Sequence, residues 1–128
     1  DDTFTPQLLR LSLFDVVINN ADRKGGHCLI DAAGHLWGID HGITFNVEPK
    51  LRTVIWDFAG QAVPGPLLED LERLLASLSV SANDYRRQLD ALLTQDEVAA
   101  FRSRIRAVLK SGQYPEPGAG PSYPWPPV

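Results

Sequence analysis

The run "PQLLRLSLFDVVINN" at residues 6–20 constrains this chain more than any other segment. Leu8, Leu9, Leu11, Leu13, Phe14, Val16, Val17 and Ile18 leave little polar surface on it. A helix that is apolar around most of its circumference has to be covered by the rest of the fold. Thr5 is expected to cap this helix and Pro6 suits its first turn, although the β-branched residues Val16, Val17 and Ile18 lower helix propensity at its end. With 128 residues, 44% hydrophobic and 22% charged, the chain has the composition of one small globular domain with a modest core.

Directly after the helix comes "NADRKGGH" at residues 20–27, whose paired glycines end any regular element. Short apolar runs on either side of a Gly-containing turn then predict a β-hairpin, residues 28–30 against 36–39. Residues 42–65 have no period and are broken by Gly42, Pro49, Gly60, Pro64 and Gly65. They read as a long ordered loop with one helical turn near 53–58, and loops of that length are usually functional. Residues 66–78 place Leu67, Leu68, Leu71, Leu74, Leu75 and Leu78 on one helical stripe, with Glu69, Asp70 and Glu72 near the N-terminus. A short helix is expected over 84–93. Thr94 and Glu97 form a capping box for a last helix that carries Val98, Phe101, Ile105 and Val108 and ends at Gly112. Residues 112–128 contain six prolines and read as a tail, mobile unless a partner holds it. The expected architecture is α+β and mainly helical, with a folded body over 1–111.

Net charge is −4 and is spread along the chain, so there is no nucleic-acid footprint. The single cysteine, Cys28, excludes an internal disulfide and fits a reducing, cytoplasmic setting. No apolar stretch is long enough to span a bilayer, and no signal-peptide pattern opens the chain. The absence of any Met suggests a fragment or processed product.

Two aspartates frame the hairpin, Asp22 before its first strand and Asp40 after its second. A hairpin brings its outer ends together, so the two should converge at one edge, beside Lys24, His27 and His41. Carboxylate and imidazole groups together can bind a divalent cation. Each residue also has a plainer reading. Asp beside Gly is common turn chemistry, Asp40 can cap a turn, and His27 is as well suited to a structural hydrogen bond as to a metal.

The spacing adds specificity. Lys24 follows Asp22 by two positions, His27 by five, and "DHG" begins eighteen positions after Asp22. The segment "DRKGGHCLIDAAGHLWGIDHG" resembles the catalytic loop, hairpin and metal-binding motif of protein-kinase-like enzymes, whose pattern is Asp-x-Lys-x-x-Asn, two strands and Asp-Phe-Gly. "NADRK" is similar to the corresponding loops of HipA-type and phosphatidylinositol kinases. Residues 14–56, with "NNADRKGGH" and "GIDHG", most resemble an actinobacterial phosphatidylinositol 3/4-kinase-like family.

The resemblance implies a kinase C-lobe: an ATP-dependent phosphotransferase acting on a hydroxyl acceptor, with ATP and Mg²⁺ or Mn²⁺ as cofactors. It gives Asp22 the attacking hydroxyl's proton, Lys24 the charge on the transferred phosphoryl group, and Asp40 the metal. His27 stands where the pattern has Asn, the second metal ligand, and His41 replaces the Phe of Asp-Phe-Gly. Histidine ligates a metal only when neutral, so activity is expected to fall on acidification. Asn20 is a candidate brace for the Asp22 carboxylate, Arg23 a supporting residue, and Lys50 and Arg52 weak candidates for substrate contact. No Gly-rich phosphate loop with a following strand Lys is present, so an N-lobe is expected upstream, and the chain alone is not expected to turn over. No basic run supports a lipid acceptor over a protein or small molecule.

Two rivals follow from the same residues. One is a pseudokinase, motivated by His27 and His41; the other is a metal-dependent hydrolase built on Asp22, His27, Asp40 and His41. Elsewhere the expectations are structural. Cys28 is a small core residue with no activating base. His35 is a turn residue, and Trp37 and Trp56 pack in the core or a loop. Arg102, Arg104, Arg106 and Lys110 form a solvated helix face.

Overall fold

The apolar run folds as helix α1, Thr5–Ile18, preceded by a single 3-10 turn at Asp2–Phe4. The structure is a computed structural model that describes residues 2–80 and 82–128. Pro6 lies in the first turn of α1, as expected, but Thr5 is already helical. The cap position falls on Phe4, whose side chain makes no capping bond. Phe4 cannot cap in the usual way because capping needs a side-chain oxygen; the fixed φ of Pro6 starts the helix instead.

Asn19 ends α1 in the left-handed conformation, φ 56° and ψ 51°. Asn tolerates that region better than most residues, and it returns its N–H to the carbonyls of the last turn. Its side chain then fixes the following long loop. The Asn19 amide donates to the Asn46 and Glu48 carbonyls at 2.9 and 2.7 Å, and its oxygen accepts the Lys50 N–H at 2.8 Å.

Strands β1, Cys28–Ile30, and β2, Leu36–Gly38, pair antiparallel with Leu29 opposite Trp37. Gln7 of α1 clamps the hairpin by donating to Gly34 O at 2.9 Å and accepting the Leu36 N–H at 2.6 Å. Trp37 lies 53% exposed, packed locally on the hairpin and not in the core, with its indole N–H donated to Asp31 at 2.9 Å. Its ring packs edge-on against His35, with ring centres 4.4 Å apart.

Helices α2, Gly65–Leu78, α3, Asp84–Leu92, and α4, Gln95–Ser111, complete a mainly helical α+β fold. Thr94 and Glu97 close the expected capping box: the Thr94 N–H reaches Glu97 Oε1 at 2.8 Å, and the Glu97 N–H reaches Thr94 Oγ1 at 3.1 Å. Gly112 ends α4 at φ 66°, a conformation open to Gly at little cost. Leu13, Val17 and Ile18 of α1 meet Leu71 and Leu78 of α2 and Phe101, Ile105 and Val108 of α4 in one core. Leu78 and Ile105 are fully buried. Each such side chain contributes about 1.5–3 kcal/mol.

Three further expectations fail. No helical turn forms over residues 53–58; Thr53 Oγ1 accepts the Ile55 N–H instead, and the turn falls at 57–60. Arg104 is not part of a solvated face: it crosses to α1 and the loop, donating to Val17 O at 2.8 Å and Asn46 O at 3.0 Å. The tail is not free. Tyr114 is buried in the core and donates to Leu9 O at 2.7 Å, and this burial pushes its phenol up to about 12. Ser122 O accepts both the Thr53 N–H and the Trp56 indole N–H, at 3.0 and 2.9 Å. The tail thus pairs backbone groups of the long loop that have no helix or sheet to satisfy them. Among the described residues no helix is long and apolar enough to cross a membrane.

Candidate functional site

The loop "NADRKGGH" is built around a buried charge. Arg23 is fully buried and grips Asp15 of α1 with two bonds, Nε to Oδ2 and Nη2 to Oδ1, each 2.9 Å. Its remaining Nη1 donates to His27 O and Ile39 O at 3.2 and 3.0 Å, one carbonyl on each side of the hairpin. Its backbone joins the long loop, taking a bond from Val54 N–H and giving one to Arg52 O, both 3.0 Å. Arg23 therefore supports the site from beneath and has no exposed face for a substrate. Gly38 packs beside it: a Cβ there would lie 2.7 Å from Leu11 Cδ1, too close, and 3.5 Å from both guanidinium Nη atoms, an ordinary contact.

Asn20 is also fully buried. Its amide donates to Asp15 Oδ1 at 3.0 Å and its oxygen accepts the Asp22 N–H at 3.0 Å. It braces the Asp22 backbone, and not the carboxylate as expected: its amide turns to Asp15 and only its oxygen reaches Asp22. The Asp22 carboxylate is left partly exposed, 3.8 Å from Lys24 Nζ, which is also partly exposed. This is a carboxylate and an ammonium side by side at the surface, available to solvent and ligand.

His27 lies between the two ends of the hairpin. Its Nδ1 is 2.9 Å from Asp22 O and 3.2 Å from the Lys24 N–H, while Nε2 is 3.3 Å from Asp40 Oδ2. The two tautomers have different consequences. With the proton on Nδ1, it is donated to Asp22 O, and the Nε2 lone pair faces the Asp40 carboxylate. Two acceptors then oppose each other, and a cation between them relieves the repulsion. With the proton on Nε2, it is donated to Asp40, and Nδ1 accepts the Lys24 N–H. The 3.3 Å separation suits either case, since adjacent donors of a small octahedral cation lie about 3 Å apart. Asp40 itself is 63% exposed and sits at φ 60°, which presents its side chain outward at the end of the hairpin.

The expected convergence of Asp22 and Asp40 is thus bridged by His27, with Asp22 contributing its carbonyl to that bridge. Two side chains, Asp40 and His27, are available to hold a divalent cation. Among the described residues no group of three or more His, Cys, Asp or Glu side chains gathers as a metal cage. A two-donor site fits a cation whose other positions are filled by phosphate oxygens and water.

His41 points away from this group, edge-on to Phe14 with ring centres 5.3 Å apart. Its Nε2 is buried without a hydrogen-bond partner among the described residues. Burial and the nearby Arg23 charge lower its pKa. Burial likewise raises the Cys28 thiol, in keeping with an inert residue. Lys50 and Arg52 lie elsewhere, lining a cavity of about 990 Å³ that none of Asp22, Lys24, His27 and Asp40 lines. Asp15, which organises the site, escaped sequence reasoning; the only signal was a lone carboxylate in a mainly apolar helix.

No protein-family model matches the chain, and no solved structure matches it. It is similar to Protein Rv2133c of Mycobacterium tuberculosis, with 38% identity over 120 residues. The match covers 94% of this chain and 42% of the relative, so the chain spans less than half of that protein's length.

Proposed function

We propose that the chain is the catalytic-lobe part of an ATP-dependent phosphotransferase of the phosphatidylinositol 3/4-kinase-like type, acting on a hydroxyl acceptor. The observation that carries this reading is the grouping of Asp22 with Lys24 at 3.8 Å and of His27 with Asp40 at 3.3 Å around one rigid loop. Asp22 takes the proton of the acceptor hydroxyl, and its backbone, held by Asn20, keeps that carboxylate aimed. Lys24 offsets the negative charge that grows on the transferred group. Asp40 and an unprotonated ring nitrogen of His27 would hold the divalent cation. When bound, that cation neutralises phosphate oxygens. The adenine side of the nucleotide is left to a second lobe outside these residues. The hairpin offers such a lobe an apolar seat: Leu29, Ile30, Trp37 and Ile39 are all at least 41% exposed.

A second reading, a nucleotide-binding module without transfer, is favoured by the His27–Asp40 contact, which lets the two metal donors satisfy each other. Transfer of labelled γ-phosphate by the full-length protein, with Mg²⁺ and with Mn²⁺, separates the readings. The kinase reading expects turnover that falls at least a thousandfold in Asp22→Asn. Turnover no higher than that of Asp22→Asn with either metal, together with retained ATP binding, establishes the second reading instead.

A further inference from the structure

A large cavity lies away from the loop just described. It runs between the end of α1, the loop over residues 47–52, α4 and the tail, with a volume of about 990 Å³, enough for a ligand of some tens of heavy atoms. Its walls are mainly apolar, with Val16, Leu51, Trp56, Val108 and Pro115 among them. Its charged groups are unbalanced: Lys50, Arg52 and Arg104 against one carboxylate, Glu116. Two of those cations have unused donors, since Arg52 Nε and Arg104 Nη2 are buried without a hydrogen-bond partner among the described residues. Buried guanidinium donors are normally paired, and most strongly with a carboxylate or phosphate. Burial also lowers the Arg104 pKa, with no carboxylate acting against it.

We propose that this cavity binds an amphipathic anion, a molecule with an apolar body and one carboxylate or phosphate head. The apolar walls take the body. Arg52 and Arg104 take the head, which supplies the acceptors their buried donors lack. The site does not depend on phosphoryl transfer, and its test reads binding alone.

Calorimetry on the full-length protein with decanoate, decyl phosphate, decanol and inorganic phosphate tests it. At least one of the two decyl anions is expected to bind at least tenfold more tightly than both decanol and inorganic phosphate; which of them binds better names the head group. Arg52→Gln removes one head contact, and Ala107→Trp fills the cavity from an exposed position on α4. Each is expected to weaken binding of the preferred anion at least tenfold, with the thermal midpoint within a few degrees of the parent. Arg104 is left intact because it also holds the Val17 and Asn46 carbonyls. Decanol or inorganic phosphate binding within tenfold of both anions, no binding by either anion, or less than a tenfold loss in either variant overturns the proposal.

Discussion

Arg23 and Asp15 form a two-pronged ion pair, 2.9 Å at each contact, with neither side chain more than 1% exposed. Breaking such a pair from one side leaves a buried charge without its partner. Asp15→Asn or Arg23→Gln is expected to cost about 3–5 kcal/mol of stability. Urea denaturation measures it. The double replacement Asp15→Leu with Arg23→Met should cost clearly less than the sum of the singles, because it leaves no orphaned charge.

Gly38 is held to its identity by Leu11. Gly38→Ala forces Leu11 Cδ1 to yield from a 2.7 Å contact and is expected to destabilise by about 1–3 kcal/mol. Adding Leu11→Ala should recover part of that loss in the same denaturation assay, since it removes the atom in the way.

His41 links stability to pH. Its pKa is lowered in the folded state by burial, with Arg23 adding to the effect. The unfolded chain therefore binds the proton more readily. The contribution of His41 is fully present above its ordinary value of about 6.5 and is lost as pH falls through the lower folded value. His41→Phe keeps a ring against Phe14 and removes the titration. Its thermal midpoint should fall less between pH 7.5 and pH 5 than that of the parent.

His27→Asn tests the metal-side assignment in the proposed phosphotransferase. An amide oxygen suits magnesium better than an imidazole does. The ratio of magnesium-supported to manganese-supported transfer is expected to rise by about tenfold, read from initial rates at saturating metal. An unchanged ratio removes His27 from the metal site.

The helices were legible because their signals are local. The leucine stripe of α2 and the Thr94–Glu97 box lie within a few residues of the atoms they satisfy. The hairpin was legible from its turn. What escaped is long-range pairing. Asp15 and Arg23 are eight positions apart but belong to different elements, and Arg104 reaches Val17 across 87 positions. A buried charge looks like a surface charge until its partner is known. The proline-rich tail misled for a related reason: lack of periodicity says that a segment makes no helix or strand, and nothing about whether neighbouring backbone groups need it. In the site, the spacing put Asp22, Lys24 and His27 on one loop and Asp40 at the other end of the hairpin, but the bracing by Asn20 through the backbone and the bridging role of His27 came only from the geometry.

The tail also bears on how the protein is made. Tyr114 closes against Leu9, near the start of the chain, and Ser122 completes the bonding of Thr53 and Trp56. A nascent chain that has reached only Gly112 lacks all three bonds, so the core cannot be sealed while residues 114–122 are still inside the ribosome. Such long-range pairing delays closure until residues 114–122 have emerged, with apolar loop surface exposed meanwhile to chaperones and proteases.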